Sequence, residues 1–170
     1  MGRPAHLVGY SDGGIVSLLV ARERPDLVQS MVLIGANFHH EGIHPFDLDP
    51  ESPVAQMIAE SYAAISPDGA EHFPAIVDKT LTMIGTEPTL ATDHLTGIAH
   101  PTLVLAGDDD LVRLSHTCEL FEALPNGQLA IVPGTSHLVV FEKPDLVQAS
   151  VRSFLDSGGT VETLMPINRA

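Results

Sequence analysis

The feature that most constrains the fold is a Gly-Tyr-Ser-Asp-Gly pentapeptide at residues 9–13, which lies between two different apolar patterns. Residues 5–9 form a short apolar run that predicts a buried strand, and residues 13–24 carry apolar side chains at helical spacing. A strand that becomes a helix over so few residues needs a sharp, strained turn. We expect Gly9 and Gly13 to let the strand and the helix approach each other, because glycine has no Cβ.

The serine of this pentapeptide has the setting of a nucleophile. The turn would push the Ser11 hydroxyl clear of the sheet, and the start of the helix would offer its positive dipole end to an oxyanion. The backbone N–H of Asp12 is the first expected oxyanion donor. A serine hydroxyl needs a histidine to take its proton and a carboxylate to orient that histidine. The pentapeptide therefore predicts both groups elsewhere in the chain.

Three further apolar runs predict the rest of a sheet, at residues 30–34, 102–106 and 129–132. They are apolar on both faces, which is typical of parallel strands covered on both sides. Helical patterns at 116–124 and 144–155 follow the last two runs. The sequence therefore predicts an α/β fold, with a mostly parallel, open sheet and helices on both faces.

Candidates for the acid and the base follow the last two predicted strands. The third strand ends in Gly-Asp-Asp-Asp at residues 107–110, and Pro-Gly-Thr-Ser-His follows the fourth, ending at His137. Catalytic groups gather where loops leave the carboxyl ends of parallel strands. Ser11, an aspartate and His137 would then form a nucleophile, acid and base set, with three aspartates open for the acid.

The chain divides into four predicted parts. Residues 4–37 hold the nucleophile turn, 38–100 form a helical lid inserted between two strands, 101–156 complete the core, and 157–170 are expected to be a flexible tail.

Two Ser-Pro pairs mark helix starts in the predicted lid, because serine caps a helix and proline fits its first position. We expect helices at about 53–65 and 68–84, and a third near 90–98. Tyr10 beside the nucleophile and Phe38 at the start of the lid are the predicted substrate contacts. Several lid side chains are available for an acyl or leaving-group pocket, although we expect most to pack in the core: Phe38, Phe46, Met57, Ile58, Tyr62, Phe73 and Met83.

A rival motif lies at residues 40–44, where His-Glu-Gly-Ile-His matches the His-Glu-x-x-His pattern of zinc proteases. That chemistry requires the motif on a helix, so that both histidines share one face. Gly42 inside the motif and Pro45 after it disfavour a helix. We prefer a polar lid loop and expect no metal or cofactor, with a metal-dependent hydrolase as an alternative.

Composition limits the partners and the location. The formal net charge is −14, from 22 acidic and 8 basic residues, so a nucleic-acid partner is not expected. Apolar runs are far shorter than the roughly 20 residues that a membrane span needs, and the chain does not open with a signal sequence. We therefore expect a cytoplasmic protein with no membrane contact. Cys118 is the single cysteine, which excludes an internal disulfide.

These motifs together resemble the C-terminal two-thirds of the α/β-hydrolase superfamily, over residues from about 4 to 155. The superfamily's acid follows a strand in a Gly-x-x-Asp pattern, which matches Asp110, and its histidine lies in a Pro-Gly-x-x-His loop, which matches His137. The resemblance implies a serine hydrolase with the triad Ser11, Asp110 and His137, acting on small carboxylic esters through an acyl-enzyme without a cofactor. Cleavage of amides or of C–C bonds by the same triad stays open.

Residues 9–15 and 31–37 are further similar to the biphenyl-hydrolase-like group, which includes the valacyclovir hydrolases. In that group an acid directly after the nucleophile is implicated in holding the α-amino group of the substrate. The resemblance thus implies that Asp12 binds amino-acid esters. An equally good explanation is that an aspartate in the first helical turn is favourable with the helix dipole.

The same resemblance implies that the first strands of the fold, which supply a second oxyanion donor, would precede residue 5. Without them the strand at 5–9 would present an open apolar edge. Three explanations stay open: an internal start site taken for the true one, a deliberate fragment, or a naturally short protein that completes its sheet as a homodimer through the edge of residues 5–9. The alternative to an enzyme is an inactive hydrolase-like fragment that acts only in assembly or binding.

Overall fold

A computed structural model describes residues 3–46, 49–159, 163–165 and 167. Four strands form one sheet in the order β1-β2-β3-β4, and each pairs in parallel with the next. Their carboxyl ends therefore lie along one edge of the sheet. The strands are β1 (Ala5–Tyr10), β2 (Val28–Ile34), β3 (Thr102–Asp109) and β4 (Gly127–Ser136).

Seven α-helices alternate with or lie between these strands in the described part of the chain. They are α1 (Asp12–Glu23), α2 (Pro53–Ile65), α3 (Phe73–Ile84), α4 (Thr92–Thr96), α5 (Leu114–Ala123), α6 (Val139–Glu142) and α7 (Pro144–Asp156). The predicted α/β fold with a parallel sheet is confirmed.

The central strands separate two apolar layers because successive side chains of a strand point to opposite faces. On β2, Met31 and Leu33 pack with Leu18 of α1 and Leu120 of α5. Val32 and Ile34 pack in a second cluster with Val139 of α6 and with Val147 and Phe154 of α7. The sheet is thus covered on both faces, as its continuous apolar runs predicted.

The first strand differs from this pattern. Residues 5–9 were predicted to be buried, but Ala5 and His6 are exposed and the exposed fraction of Val8 is 55%. The prediction of burial was wrong, whereas the expected open edge is observed, because among the described strands β1 has a neighbour, β2, on one side. Pairing of two chains through this edge stays a prediction.

The segment between β2 and β3 contains the helices that the Ser-Pro pairs predict. The Ser52 hydroxyl accepts a hydrogen bond from the N–H of Ala55 at 3.2 Å, which caps α2. The next helix starts at Phe73 rather than at residue 68, because Gly69 adopts a positive φ of 80° and a 3-10 turn, Ala70–His72, follows it. Whether this segment acts as a lid stays a prediction.

The apolar side chains of these helices are more exposed than expected. In α2 only Ala55 is buried, and α3 has no buried residue along its fully described length. The rings of Tyr62 and Phe73 contact each other with centroids 5.4 Å apart, which joins the two helices. The expectation of core packing was wrong for four side chains with exposed fractions of 40–45%: Phe46, Met57, Ile58 and Met83.

The predicted flexible tail, 157–170, lies partly outside the described residues, at 160–162, 166 and 168–170. The N–H of Gly159 donates to the carbonyl of Phe154, and its own carbonyl accepts from the Gln128 side chain, each at 2.9 Å. Among the described residues, no helix is both long enough and apolar enough to span a bilayer.

Candidate active site

Ser11 occupies the sharp turn between β1 and α1. Its φ is 54° and its ψ is −122°, a backbone conformation that residues other than glycine rarely adopt. The Ser11 N–H donates to the Ile34 carbonyl at the end of β2 over 2.8 Å. The turn is thus held against the neighbouring strand, at the carboxyl edge of the sheet.

Two glycines allow the close approach of α1, but not the pair that was predicted. A Cβ on Gly9 would lie 2.2 Å from the Gly13 carbonyl oxygen, so the requirement for Gly9 is confirmed. A Cβ on Gly13 would meet nothing within 4 Å, so the prediction for Gly13 was wrong. The second requirement falls on Gly14, where a Cβ would lie 2.6 Å from the Cβ of Ala36.

Three predicted site residues form one hydrogen-bonded row. Nε2 of His137 lies 3.1 Å from Oγ of Ser11, and Nδ1 of His137 lies 2.8 Å from Oδ1 of Asp110. The residues come from the turn after β1, the loop after β3 and the loop after β4. Because the strands are parallel, all three loops leave the sheet at the same edge.

The surroundings of Asp110 determine which histidine nitrogen carries the proton. The Asp110 side chain is 1% exposed, and its oxygens accept hydrogen bonds from the N–H groups of Val112 at 3.0 Å and Gly107 at 3.4 Å. An ionised carboxylate can only accept hydrogen bonds. Nδ1 of His137 is therefore the donor to Asp110, and Nε2 presents its lone pair to Ser11.

The neighbouring aspartates do not share this position. The Asp108 carboxylate accepts the N–H of Thr135 at 3.1 Å, and backbone hydrogen bonds, that from Thr135 first, lower the pKa of Asp108. Asp109 is exposed at the end of β3. Of the three candidates for the acid, Asp110 is the one that contacts His137.

Gly35 is a site residue that was not predicted. Its φ is 57°, and a Cβ there would lie 3.1 Å from Nδ1 of His137 and 3.4 Å from Oδ2 of Asp110. A side chain at this position would therefore press on the contact between the base and the acid. The available signal was a glycine directly after a buried apolar strand.

The Tyr10 side chain contacts His137. Its hydroxyl donates to the backbone carbonyl of His137 at 2.9 Å, and the two rings lie 5.4 Å apart. Burial raises the pKa of Tyr10, and the negative charges of Asp110 and Glu142 raise it further. The hydroxyl therefore keeps its proton at neutral pH. The substrate contact expected of Tyr10 stays a prediction.

Asp12 is the first residue of α1, and N–H groups in the first turn of a helix have no acceptor within the helix. Its backbone N–H directly follows Ser11 in the chain, and its role as an oxyanion donor stays a prediction. The side chains of Asp12 and Glu87 line a cavity of about 370 Å³. Arg22 is a further charged residue of the lining. The other walls are mostly apolar and include Ile15, Val16, Leu19, Met83 and Leu90.

Phe38 is buried in the core, with 4% exposed, and stacks on His116 with centroids 3.9 Å apart. The Phe38 N–H donates to Nε2 of His116 at 3.2 Å. Burial, followed by the charges of His39 and Arg113, lowers the pKa of His116 to about 4. His116 is therefore a neutral acceptor at neutral pH. The substrate contact expected of Phe38 stays a prediction.

The segment that matches the zinc-protease motif is a short 3-10 turn, His40–Gly42, preceded by His39, whose Nδ1 accepts the Glu41 N–H. The α-helix that the motif requires is not formed. Within residues 3–46, 49–159, 163–165 and 167, no group of three or more His, Cys, Asp or Glu side chains is arranged to hold a metal ion.

Known proteins are similar to this chain in sequence and in fold. A family model described as the alpha/beta hydrolase family matches residues 1–149. The sn-1-specific diacylglycerol lipase ABHD11 of Mus musculus is 27% identical, over 89% of this chain and 59% of the lipase. The putative carbamate hydrolase RutD of Pseudomonas savastanoi pv. phaseolicola is 31% identical, over 89% of this chain and 68% of that protein.

Among solved structures, the meta-cleavage product hydrolase CumD of Pseudomonas fluorescens IP01 is similar, with a TM-score of 0.75 and 20% identity. The similarity covers 92% of this chain and 66% of CumD. The chain thus spans 59% of the mouse lipase and about two thirds of the other two proteins. Because the family model covers most of its length, this chain belongs to the alpha/beta hydrolase family.

Proposed function

We propose that this chain is a serine hydrolase that cleaves carboxylic esters by acyl transfer to Ser11. The observation that carries the proposal is the row from Ser11 Oγ through the His137 imidazole to Asp110, with contacts of 3.1 and 2.8 Å. A strained turn that exposes a serine to a histidine, itself oriented by a buried carboxylate, is the arrangement that nucleophilic catalysis requires.

In the proposed acylation step, Oγ of Ser11 attacks the ester carbonyl carbon while Nε2 of His137 takes the hydroxyl proton. The carbonyl oxygen becomes an oxyanion, which the backbone N–H of Asp12 stabilises. The tetrahedral intermediate then collapses, and the imidazolium returns the proton to the leaving alcohol. Asp110 stabilises the imidazolium and holds the ring in the required tautomer.

Deacylation repeats the same chemistry with water. Nε2 of His137 removes a proton from a water molecule, and the resulting hydroxide attacks the acyl carbon on Ser11. Collapse of the second intermediate releases a carboxylic acid and restores the Ser11 hydroxyl. The step consumes one water for each ester and needs no redox partner.

The names of two relatives support chemistry at a carbonyl carbon. ABHD11 is named a diacylglycerol lipase and RutD a putative carbamate hydrolase, so both names describe hydrolysis of a carbonyl compound. An ester is the simplest substrate of that class for the row of Ser11, His137 and Asp110. Cleavage of C–C bonds, which the name of CumD suggests for that protein, is a less favoured reaction for this chain.

The test is hydrolysis of a p-nitrophenyl ester by the purified chain and by Ser11→Ala. We expect turnover in the wild type and its loss in Ser11→Ala. A fluorophosphonate should label Ser11 covalently, with the modified peptide identified by mass spectrometry. Ser115→Ala is the matched control, because Ser115 is exposed on α5 and takes no part in the hydrogen bonds of Ser11, His137 and Asp110. Turnover that survives Ser11→Ala but is lost with a chelator would instead indicate a metal-dependent hydrolase.

We further propose amino-acid esters as the substrate class, because Asp12 directly follows Ser11 in the chain and lines a cavity whose other charged residues are Arg22 and Glu87. A carboxylate close to a developing oxyanion is unfavourable unless a cation lies between them, and a substrate ammonium group would supply that cation. Asp12→Asn should therefore lower kcat/KM for an amino-acid ester more than for a neutral ester of equal size. Equal losses for both esters would show that Asp12 only stabilises the start of α1.

An inactive chain that acts in assembly is the second candidate, favoured by the exposed apolar side of β1. This candidate predicts no turnover above Ser11→Ala and a species larger than the monomer in size-exclusion chromatography. A monomer with turnover that depends on Ser11 would contradict it.

A further inference from the structure

The loop that carries His137 is held by a carboxylate that the proposed reaction does not use. Oε2 of Glu142 accepts the backbone N–H of Ser136 at 2.7 Å, and Oε1 accepts the Ser136 hydroxyl at 2.8 Å. The same hydroxyl oxygen accepts the N–H of Leu138 at 3.2 Å. Glu142 is thus bound, directly and through one hydroxyl, to the residues on both sides of His137.

Glu142 can reach this loop because α6 turns the chain back on itself. The helix is only Val139–Glu142, and the N–H of Glu142 donates to the Leu138 carbonyl at 3.0 Å. The side chain at the end of this single turn therefore faces the end of β4. In the same loop, the Tyr10 hydroxyl donates to the His137 carbonyl. Side chains thus hold the peptide groups on both sides of His137, 135–136 and 137–138.

We propose that Glu142 is a positioning residue for His137, an inference that rests on the proposed function of that histidine. Glu142 fixes the backbone from which the imidazole projects, so that Nε2 stays within hydrogen-bond distance of Ser11 when Nδ1 is bound to Asp110. Hydrogen bonds to an ionised carboxylate are shorter and stronger than neutral ones, and the two short contacts of Glu142 fit this description.

The two oxygens of Glu142 have distinct donors, which makes the glutamine variant informative. Glu142→Gln keeps the length of the side chain but replaces one acceptor with an NH₂ group, which cannot accept from Ser136. The Ser136 hydroxyl must then turn and accept from that NH₂ group, so that a neutral hydrogen bond replaces one to a carboxylate. Because small displacements of a catalytic group cost up to about a hundredfold in rate, we expect kcat of Glu142→Gln to fall about tenfold. KM should stay unchanged, since Glu142 does not belong to the proposed substrate contacts.

The matched control is Glu122→Gln, which removes the same charge from an exposed position on α5. Any effect of net charge on the assay should appear equally in both variants. Ser136→Ala is the second test variant, because it keeps Glu142 but removes the hydroxyl that joins Glu142 to Leu138. Ser136→Ala should also lower kcat. It therefore tests the inference even if the Glu142→Gln chain does not fold.

A second readout needs no substrate. In proton NMR, the Nδ1–H of His137 hydrogen-bonded to a carboxylate should give a resonance at low field in the wild type and in Glu122→Gln. In Glu142→Gln this resonance should broaden or disappear, because the imidazole samples positions away from Asp110. The midpoint of urea unfolding, measured in parallel, should differ little between the two glutamine variants.

The outcomes separate this inference from the proposed function. Equal kcat and an equal low-field resonance in Glu142→Gln and Glu122→Gln would overturn the role of Glu142. A loss of kcat with an unchanged resonance would overturn it as well, because the imidazole would then not have moved. A wild type without turnover would overturn the proposed function alone, since the resonance still tests how Glu142 holds His137.

Discussion

The hydroxyl of Tyr10 donates a hydrogen bond to the backbone carbonyl of His137 over 2.9 Å, between residues 127 positions apart in the chain. Tyr10 is the last residue of β1 and directly precedes Ser11. The bond therefore joins the strand that presents the nucleophile to the loop that presents the base. Two contacts therefore maintain the distance between Ser11 and His137: the hydrogen bond between their side chains, and the bond from Tyr10 to the His137 backbone.

The first prediction concerns this bond. Tyr10→Phe should lower kcat about three- to tenfold, because the loop that carries His137 loses one anchor, and should lower the free energy of unfolding by about 1 kcal/mol. Ester turnover and urea unfolding measure the two effects. Tyr62→Phe is the matched control, because the buried Tyr62 hydroxyl has no hydrogen-bond partner among the described residues. Its removal should leave both quantities unchanged or slightly raise stability, and equal effects of the two variants would contradict the prediction.

The second prediction uses the three consecutive aspartates as their own controls. Asp110→Asn should lower kcat by roughly four orders of magnitude, because an amide NH₂ in place of Oδ1 would favour the wrong tautomer of His137. Asp109→Asn should change kcat by less than about twofold, since Asp109 is exposed. The loss of kcat in Asp108→Asn should lie between these two values, because an asparagine oxygen still accepts the Thr135 N–H. A larger loss for Asp108→Asn than for Asp110→Asn would reverse the assignment of the acid.

The third prediction concerns two adjacent glycines of α1. Gly13→Ala should raise the free energy of unfolding by up to about 1 kcal/mol, because the new Cβ meets open space and alanine favours a helix. Gly14→Ala should lower it by about 1 to 3 kcal/mol, because its Cβ would lie 2.6 Å from the Cβ of Ala36. Thermal and urea unfolding of the pair provide the measurement. Similar destabilisation by both variants would contradict the packing described for α1.

The fourth prediction is a pH dependence of stability that arises from His116. The pKa of His116 is lowered from 6.5 to about 4 in the folded chain, so the unfolded chain binds a proton at a higher pH than the folded one. Stability from this residue is complete above pH 6.5 and is lost as the pH falls from 6.5 towards 4. The loss over this window should be roughly 2 to 3 kcal/mol, measured by urea unfolding at several pH values.

The control for this pH dependence is a comparison of two substitutions. His116→Gln should flatten the slope between pH 6.5 and 4, because glutamine can accept the Phe38 N–H without titrating. His72→Gln should leave the slope unchanged, since His72 lies on a 3-10 turn beside α3, outside the core. An unaltered slope in His116→Gln would show that other groups cause the acid sensitivity.

Much of the fold could be predicted because its signals are local. Apolar runs of strand length, such as residues 30–34, can be buried only if both faces of the strand are covered, and β2 has that environment. The bend at Ser11 follows from a strand pattern and a helix pattern separated by a glycine-flanked serine. Ser11, the aspartates and His137 each follow a predicted parallel strand, so they were expected at the same edge of the sheet.

The sequence by itself determined which elements form and which residue types meet at the carboxyl edge of the sheet. It did not determine that Gly14 rather than Gly13 is in close contact with Ala36, or that the Tyr10 hydroxyl holds the His137 carbonyl. These features depend on which element lies next to another in space. Only the tertiary structure decided them, because distances between side chains far apart in sequence are set by the packing of whole strands and helices.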